Sequence, residues 1–286
     1  MELQTRSGLG ITLALLGGLF ISIDIPIIRL AETTPWVFML CRGLGLALVL
    51  GGILLFRKNW TETPHDPFND RFWVEVGILH GMSSIFFTMS VFHTTTANLV
   101  FILAFNPMIA AVFAWFLIGE RPSKATWITI FVTFAGVAII VGEGLQGGTI
   151  FGDLCALAAA IILAYSLTRT RQSGKDLSLS GCLAGIITAL FSLPIVLFNF
   201  EMPGVPGWLL FNVLVLVPAT GFALSLAPRF IPAPQVAMFF LLETVLAPIW
   251  VWLIFAEIPS NQTLIGGAIV LIALLGHSAW QLRRSQ

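Results

Sequence analysis

The sequence predicts an all-α polytopic membrane protein, and three observations carry this prediction. Hydrophobic residues make up 57% of the 286 residues and charged residues only 10%, with a mean hydropathy of +0.96. The apolar residues form ten runs of roughly 20 residues each, the length that crosses a hydrocarbon core of about 30 Å. Lys and Arg gather in alternate connections between these runs. A soluble domain of this length carries more charge, so the composition excludes that class.

The ten predicted spans end wherever Pro, Gly or charged residues interrupt an apolar run. The interruptions are, in chain order, ETTP, RKNW with the loop behind it, HTTT, GERP, GEGLQGG, RTRQSGK, EMPG, RFIPAP, AEIP and the final RR. Only residues 57–71 form a sizeable hydrophilic loop, so no soluble catalytic domain separates the spans. The predicted spans cover residues 8–31, 35–56, 72–92, 96–119, 124–142, 150–170, 178–200, 207–228, 233–256 and 261–282.

The distribution of basic residues predicts the orientation of the spans. With the N-terminus inside, the cytoplasmic segments hold 12 of the 14 Lys and Arg residues, and the other two, Arg29 and Arg42, lie within the first two spans. Positive charge is retained on the cytoplasmic side. We therefore expect a multi-pass protein of the plasma (inner) membrane with both termini in the cytoplasm. The opposite connections carry acidic residues and no Lys or Arg, namely Glu32, Glu143, Glu201 and Glu257.

An internal repeat joins the fourth span to the ninth. Residues 98–126 match residues 235–263 at a shift of 137 positions, with six identities in 29 positions. Five spans per copy is an odd number, so the second copy enters the membrane from the opposite side. The sequence predicts two inverted repeats, 1–145 and 146–286, an arrangement that lets a central site face either side in turn. The alternative is an old duplication kept because it packs. The identical pairs are Ala110/Ala247, Trp115/Trp252, Glu120/Glu257, Pro122/Pro259, Ser123/Ser260 and Thr126/Thr263.

These motifs resemble a known family. The fourth span carries Asn-Pro followed by Gly-Glu-Arg-Pro, and the ninth carries E-x4-P followed by Ala-Glu-Ile-Pro. Together with ten spans in two halves, they resemble the EamA-type members of the drug/metabolite transporter superfamily over essentially the whole chain. The resemblance implies a basket of helices around a central cavity. Within the superfamily the chain most resembles YddG-like amino-acid exporters, through its ten-helix layout and aromatic-rich interior. The second copy lacks the Gly and Arg of GERP, so a role for a Glu-Arg pair is not assumed to be symmetric.

Ionisable side chains inside the spans are the first candidates for a binding site, because such groups are costly in a membrane and face a cavity or a partner. Asp24, just before Pro26, is predicted to bind a substrate amine or a proton, or to pair with Arg29 or Arg42. Arg42 is predicted to bind a substrate carboxylate in a two-pronged hydrogen bond, or to neutralise Asp24. His80 is predicted to bind a carboxylate or carry a proton, with a hydrogen bond to a carbonyl as the alternative, and Ser84 follows it.

The repeated spans carry a matching polar pair. Asn98 and Asn106 are eight residues apart, which places them about 80° apart around one helix, and Gln235 and Glu243 share this spacing. We expect each pair to border the cavity, with Glu243 in contact with solvent, substrate or a proton. For Asn106 the alternative is that its amide satisfies a carbonyl freed by Pro107.

Taken together, these features predict a secondary transporter that exports small metabolites, with amino acids, aromatic or hydrophobic ones included, as its specific substrates. The alternatives are a drug or multidrug carrier, a nucleoside- or sugar-type metabolite carrier, and a structural or signalling membrane protein. Predicted bending points are Pro26, Pro107, Pro218 and Pro248. The predicted substrate-binding residues are Asp24, Arg42, His80, Ser84, Asn98, Asn106, Tyr165, Gln235, Phe239 and Glu243, and the proton-coupling candidates among them are Glu243, Asp24 and His80.

The sequence predicts neither an enzyme nor a metalloprotein. It contains no HExxH, GxSxG or GxxxxGK[ST] motif, and its three cysteines lie in apolar runs without metal-ligand spacing. We expect no cofactor, no catalytic residues and no nucleic-acid partner. The expected partners are a small-molecule substrate and the lipid bilayer, and the expected state is a monomer.

Overall fold

The structure is a computed structural model that describes residues 2–60, 69–175, 177–199, 201–226 and 233–284. Within these ranges the side chains of 2–8, 56–60, 144–147, 178, 221–222, 224–226, 233–241, 278 and 281–284 are not described. All regular elements in the described ranges are helical. A 3-10 turn covers Ser178–Ser180 and a π-helical turn covers Asn212–Leu216. The α-helices are α1 Glu2–Ser22, α2 Asp24–Leu30, α3 Pro35–Trp60, α4 Arg71–His93, α5 Thr96–Leu103, α6 Asn106–Ile118, α7 Lys124–Gly147, α8 Ile150–Ser173, α9 Gly181–Phe198, α10 Pro206–Phe211, α11 Val217–Leu226, α12 Ala233–Phe255 and α13 Asn261–Arg284.

The helices of the described residues make this a multi-pass membrane protein. Three shorter apolar helices, Pro206–Thr220, Leu242–Phe255 and Asn261–His277, overlap the predicted eighth, ninth and tenth spans. The count of ten spans and their inverted repetition stay predictions. Seven further stretches are long and apolar enough to cross a bilayer and coincide with the first seven predicted spans, namely Leu9–Leu30, Pro35–Leu55, Arg71–His93, Thr96–Ile118, Lys124–Glu143, Ile150–Ser173 and Gly181–Phe198.

Two of the spans are broken just before a proline. The helix α1 gives way to α2 at Ile23, ahead of Pro26, and α5 gives way to α6 at Ala104 and Phe105, ahead of Pro107. Proline has no N–H to donate, and its ring collides with the carbonyl one turn earlier, so the helix ends there and restarts around the proline. The other two predicted bending points differ. Pro218 lies in the first turn of α11, directly after the π-helical turn, whereas Pro248 lies inside α12 without a break.

The bundle is held together mainly by pairs of helices from opposite halves of the chain. The most extensive contacts join α3 to α9, α4 to α8 and α7 to α13. The helix α1 packs against α11 and α12, and α6 packs against α8. The two halves therefore share one interior and do not form separate domains.

Two of these pairs cross with backbone against backbone at a glycine from each helix. A Cβ on Gly43 would lie 2.6 Å from the carbonyl oxygen of Gly185, and a Cβ on Gly185 would lie 2.5 Å from that of Gly43. Gly136 and Gly266 show the same reciprocity, at 2.8 and 2.7 Å. Small residues allow this close approach between membrane helices, so no larger residue fits at either crossing without a shift of the backbone.

Replacement of Gly43 by alanine is expected to destabilise the bundle, because the new Cβ meets backbone atoms that have no room to yield. Overpacking of this kind costs roughly 1–3 kcal/mol. A Cβ on Gly52, which lies on the same helix, would have no atom within 4 Å, so Gly52→Ala is the matched control and is expected to be neutral or slightly stabilising. The thermal midpoint of the two variants in detergent checks this, and equal midpoints would contradict the described crossing.

Candidate functional site

A cavity of about 400 Å³ lies between helices of both halves. Its volume is in the usual range for small-molecule sites, which are mostly apolar with a few placed polar groups. Five of the ten predicted substrate-binding residues line it, namely Asp24, Arg42, His80, Ser84 and Glu243. Further lining residues that sequence reasoning did not assign to the site are Ser83, Thr188 and Thr220, together with apolar side chains such as Leu46 and Leu163.

Asp24 and Arg42 form a buried ion pair at one wall of the cavity. The break at Ile23 makes Asp24 the first residue of α2, where it is 6% exposed. The Nη1 of Arg42 lies 3.1 Å from Oδ2 and 3.3 Å from Oδ1 of Asp24. Of the partners considered for Asp24, the structure shows Arg42, while Arg29 pairs with Glu257.

A third polar side chain completes this wall. Asn212 begins the π-helical turn, is fully buried, and donates from Nδ2 to Oδ1 of Asp24 at 2.6 Å. Sequence reasoning missed Asn212. The signal that could have identified it is an amide side chain inside the eighth apolar span. A π-turn adds one residue to a helical turn and is frequent at functional sites. Here the π-turn begins at Asn212, the residue that binds Asp24.

Two ionisable groups face the cavity without a partner. Within the part of the chain that the structure describes, neither His80 nor Glu243 makes a hydrogen bond or an ion pair. The predicted alternative for His80, a hydrogen bond to a carbonyl, is therefore not seen among these residues. Ser83 does have a partner, since its hydroxyl donates to the carbonyl of Ala159 at 3.0 Å and ties α4 to α8. His80 and Glu243 remain available to a ligand.

Asn98 and Asn106 do not share the cavity face that their spacing predicted. The break at Ala104 and Phe105 lies between them, so they do not sit on one continuous helix. The Nδ2 of Asn98 donates to Asp153 at 3.2 Å, and its Oδ1 accepts from Thr263 at 2.6 Å.

Asn106 and Tyr165 also have partners away from the cavity lining. Asn106 donates from Nδ2 to the carbonyl of Ala160 on α8 at 2.9 Å, which differs from the predicted bond within its own helix. The hydroxyl of Tyr165 lies 3.5 Å from Glu75. The side chains of Gln235 and Phe239, the remaining two predicted residues, lie outside the described residues.

The two ends of the bundle carry related Glu-Arg pairs. Glu257 pairs with Arg29 and accepts a hydrogen bond from the backbone N–H of Thr96 at 3.0 Å, and Arg29 donates to the carbonyl of Thr94 at 3.1 Å. Thr96 opens the span that ends at Ile118, so this pair marks one end of the bundle, named here the Glu257 end. The connections after residue 118 mark the opposite end, named here the Glu120 end.

The pair at the Glu120 end is more open to solvent. Glu120 pairs with Arg171 at 2.9 Å, with side chains that are 45% and 66% exposed, against 24% and 22% for Glu257 and Arg29. The cavity reaches Gly181, the first residue of α9, at the Glu120 end. Toward the Glu257 end the interior is filled by apolar side chains with no exposure, namely Ile25, Ile28, Phe38 and Leu99. The bundle is therefore closed at the Glu257 end.

Metal-binding chemistry has no obvious donor set in the described ranges. No group of three or more His, Cys, Asp or Glu side chains converges there. Cys41, Cys155 and Cys182 are free thiols. The chemistry that the described cavity offers is hydrogen bonding and charge pairing inside an apolar wall.

Two curated proteins that are described as transporters are similar in sequence to part of this chain. An uncharacterised transporter, YdeK, of Bacillus subtilis is 28% identical over 152 residues, which is 51% of this chain and 51% of that protein. A riboflavin transporter of Vibrio cholerae is 24% identical over 189 residues, 65% of this chain and 63% of that protein. The chain thus spans between half and two thirds of the length of these curated relatives.

The comparison with solved structures concerns the fold. A solved structure described as "Crystal structure of protein" superposes with a TM-score of 0.61 at 16% identity, over 92% of this chain and 95% of the other. At that identity the likeness shows the shared fold alone. Among sequence families, residues 8–142, just under half of the chain, match the EamA-like transporter family.

Proposed function

We propose that this protein is a secondary transporter that exports small metabolites, with amino acids as the specific substrates, by alternating access. The observation that carries the proposal is a cavity inside a membrane-spanning bundle that holds an ion pair, an imidazole and a carboxylate that pairs with none of the described residues. Ionisable groups at membrane depth are expensive and mark substrate or proton pathways. His80 and Glu243 face this cavity and have no partner among the described residues, an arrangement for which a structural or signalling protein has no use.

The polar groups of the cavity suit a zwitterion. Arg42 or His80 offers donors to a carboxylate, and Glu243 offers an acceptor to an amine. Phe87 and Leu46 supply apolar surface against a side chain. Asn98, Asn106, Tyr165, Gln235 and Phe239 remain proposed contributors, to be tested by their own variants.

The packing pattern supports two inverted repeats of five spans, 1–145 and 146–286. Exchange of the halves maps α3 onto α9 and α7 onto α13, so each of these contacts maps onto itself. The same exchange turns the contact of α4 with α8 into that of α11 with α1, and the contact of α6 with α8 into that of α12 with α1. A two-fold axis makes contacts between equivalent elements reciprocal, which is the pattern that these helix pairs show.

The Glu-Arg pairs fit the same exchange. Glu120 and Glu257 follow the equivalent fourth and ninth spans, and Arg171 and Arg29 lie near the ends of the sixth and first spans. Both pairs join the two halves, since Arg29 binds Glu257 and Arg171 binds Glu120, and Glu257 also accepts a hydrogen bond from the backbone N–H of Thr96 in the first half. We take the less exposed Glu257 end as the outer gate in its closed state, with Glu120 and Arg171 at the position of the inner gate.

Glu257→Gln is expected to favour opening of the Glu257 end, because it removes the charge that holds Arg29. A charge-assisted hydrogen bond contributes roughly 1.5–3 kcal/mol, enough to move the ratio of the two states by about tenfold or more. Spin labels at His93 and Ile258, both exposed, report the separation across this end. Glu120→Gln is the matched control and is expected not to open it. Equal distance distributions in the two variants would refute the assignment of the gate.

Glu243→Gln is expected to abolish the acceleration of transport by a pH gradient, while counterflow driven by a substrate gradient persists. Glu243 is proposed to carry the coupling proton because it has no partner in the described residues, and Asp24, His80 and Arg42 are the charged or titratable groups that share its cavity. Glu75→Gln, outside the cavity lining, controls for loss of a carboxylate. An unchanged rate and pH profile in Glu243→Gln would remove this residue from the coupling mechanism.

The substrate class is tested by reconstitution in proteoliposomes with labelled amino acids, nucleosides, a sugar phosphate and cationic drugs, against protein-free vesicles. Uptake of aromatic or hydrophobic amino acids is expected. Riboflavin belongs in the panel as a second candidate, because the relative from Vibrio cholerae bears that name and aligns with 65% of this chain. Uptake of drugs, nucleosides or riboflavin with no uptake of any amino acid would overturn the amino-acid proposal.

A further inference from the structure

We propose that Asn212 and Asp24 act as a positioning pair that keeps one edge of the Arg42 guanidinium open to the cavity, where it selects substrates that carry a carboxylate. This inference rests on the proposed transport function and deepens it. It assigns a role to Asn212, which no sequence motif marked. It also makes Asp24 a partner of Arg42 and not a direct ligand of the substrate.

The first step is the geometry of Arg42. A guanidinium has five N–H donors and prefers to bind a carboxylate with two nitrogens in a fork. Here Nη1 alone contacts both oxygens of Asp24. Within the described residues, Nε and Nη2 have no hydrogen-bond partner, and Arg42 lines the cavity. The fork that a carboxylate prefers is thus left unoccupied.

The second step is that two aromatic rings lie close to the guanidinium. Its central carbon lies 5.6 Å from the ring centre of Phe38 and 5.8 Å from that of Phe87. Aromatic faces attract a guanidinium and exclude water from it. The rings add attraction for the cation and apolar surface around it, and the edge with Nε and Nη2 is the part of Arg42 that can still bind a planar anion such as a carboxylate.

The third step is what keeps Asp24 from taking that edge. Oδ1 of Asp24 lies 2.6 Å from Nδ2 of Asn212 but 3.3 Å from Nη1 of Arg42. The shorter bond is the one to the buried amide, so Asn212 holds this oxygen away from a forked arrangement on Arg42. The orientation of the amide follows from chemistry, since the reverse one would set Oδ1 of Asn212 against a carboxylate. That Oδ1 is buried and has no partner in the described residues.

The pair also lowers the cost of the site in the membrane. If Asp24 were absent, Arg42 would be an uncompensated charge whenever the cavity is empty. Asp24 balances that charge. A substrate carboxylate then binds to Nε and Nη2 while Asp24 keeps Nη1. Asp24 therefore competes with the substrate carboxylate for Arg42, and the hydrogen bond from Asn212 limits how well it competes.

The test compares the binding of phenylalanine and phenylalanine amide to the purified protein in detergent. The two probes differ only in the group that Arg42 is inferred to read, so the wild type is expected to prefer the acid. Asn212→Leu frees Asp24 to take the fork, and should raise the Kd for phenylalanine about tenfold, the equivalent of one charge-assisted hydrogen bond. The Kd for the amide should stay the same, whereas a merely structural role would move both.

Asp24→Asn supplies the opposite change and a control for folding. With the competing carboxylate removed, the Kd for phenylalanine should fall while that for the amide changes little. In the Asp24→Asn background the further change Asn212→Leu should have no effect on the acid, since Asn212 acts through Asp24.

The outcomes separate the two proposals. The positioning inference is overturned, with amino-acid transport left standing, by equal affinity of the wild type for acid and amide, by an equal effect of Asn212→Leu on both probes in the wild-type background, or by an effect on the acid that persists in the Asp24→Asn background. Binding of neither probe to the wild type overturns the positioning inference, and it overturns amino-acid transport as well where proteoliposomes take up no amino acid. If Asn212→Leu does not fold, Asp24→Asn decides alone. A higher affinity for phenylalanine in this variant supports the role of Asp24 as a competitor, and an unchanged affinity contradicts it.

Discussion

The buried pair of Asp24 and Arg42 is the constraint on which the interior depends. Neither charge can stay at membrane depth alone, so the helices that carry them must remain in register at this point. The break at Ile23 lets the first span bring a carboxylate to the second, and the π-helical turn of the eighth span adds Asn212. Local irregularities that would weaken an isolated helix thus serve one electrostatic requirement, and the cavity forms beside it.

Much of the architecture follows from local rules that a sequence displays directly. Hydrocarbon thickness sets the length of a span, and the missing N–H of Pro26 and Pro107 sets where two spans break. The energetic cost of charge in a membrane also predicts which side chains face a cavity, and Asp24, Arg42 and Glu243 do so. These predictions succeed because each depends on a residue and its immediate surroundings.

Partner choice is harder to predict because it depends on which distant helices meet. Asn98 lies eight residues from Asn106, but the helix breaks between them. The side chain of Asn98 binds the carboxylate of Asp153 and does not line the cavity. Tyr165 looks like a cavity aromatic, yet its hydroxyl lies beside Glu75. Asn212 escaped notice for the same reason. Asn212 matters because it binds Oδ1 of Asp24, which lies 188 positions earlier in the chain. No spacing within one span reveals such a contact.

The contacts of α3 with α9 and of α7 with α13 have a thermodynamic consequence on the proposed inverted repeat. Equivalent helices keep each other as partners when the two halves exchange conformations, so these contacts favour neither state. The free-energy difference between the states must then arise where the halves are chemically unequal, as at Glu257 and Glu120. A protein built in this way can have its resting orientation tuned by a few charges at its rims, while the residues that recognise the cargo stay unchanged.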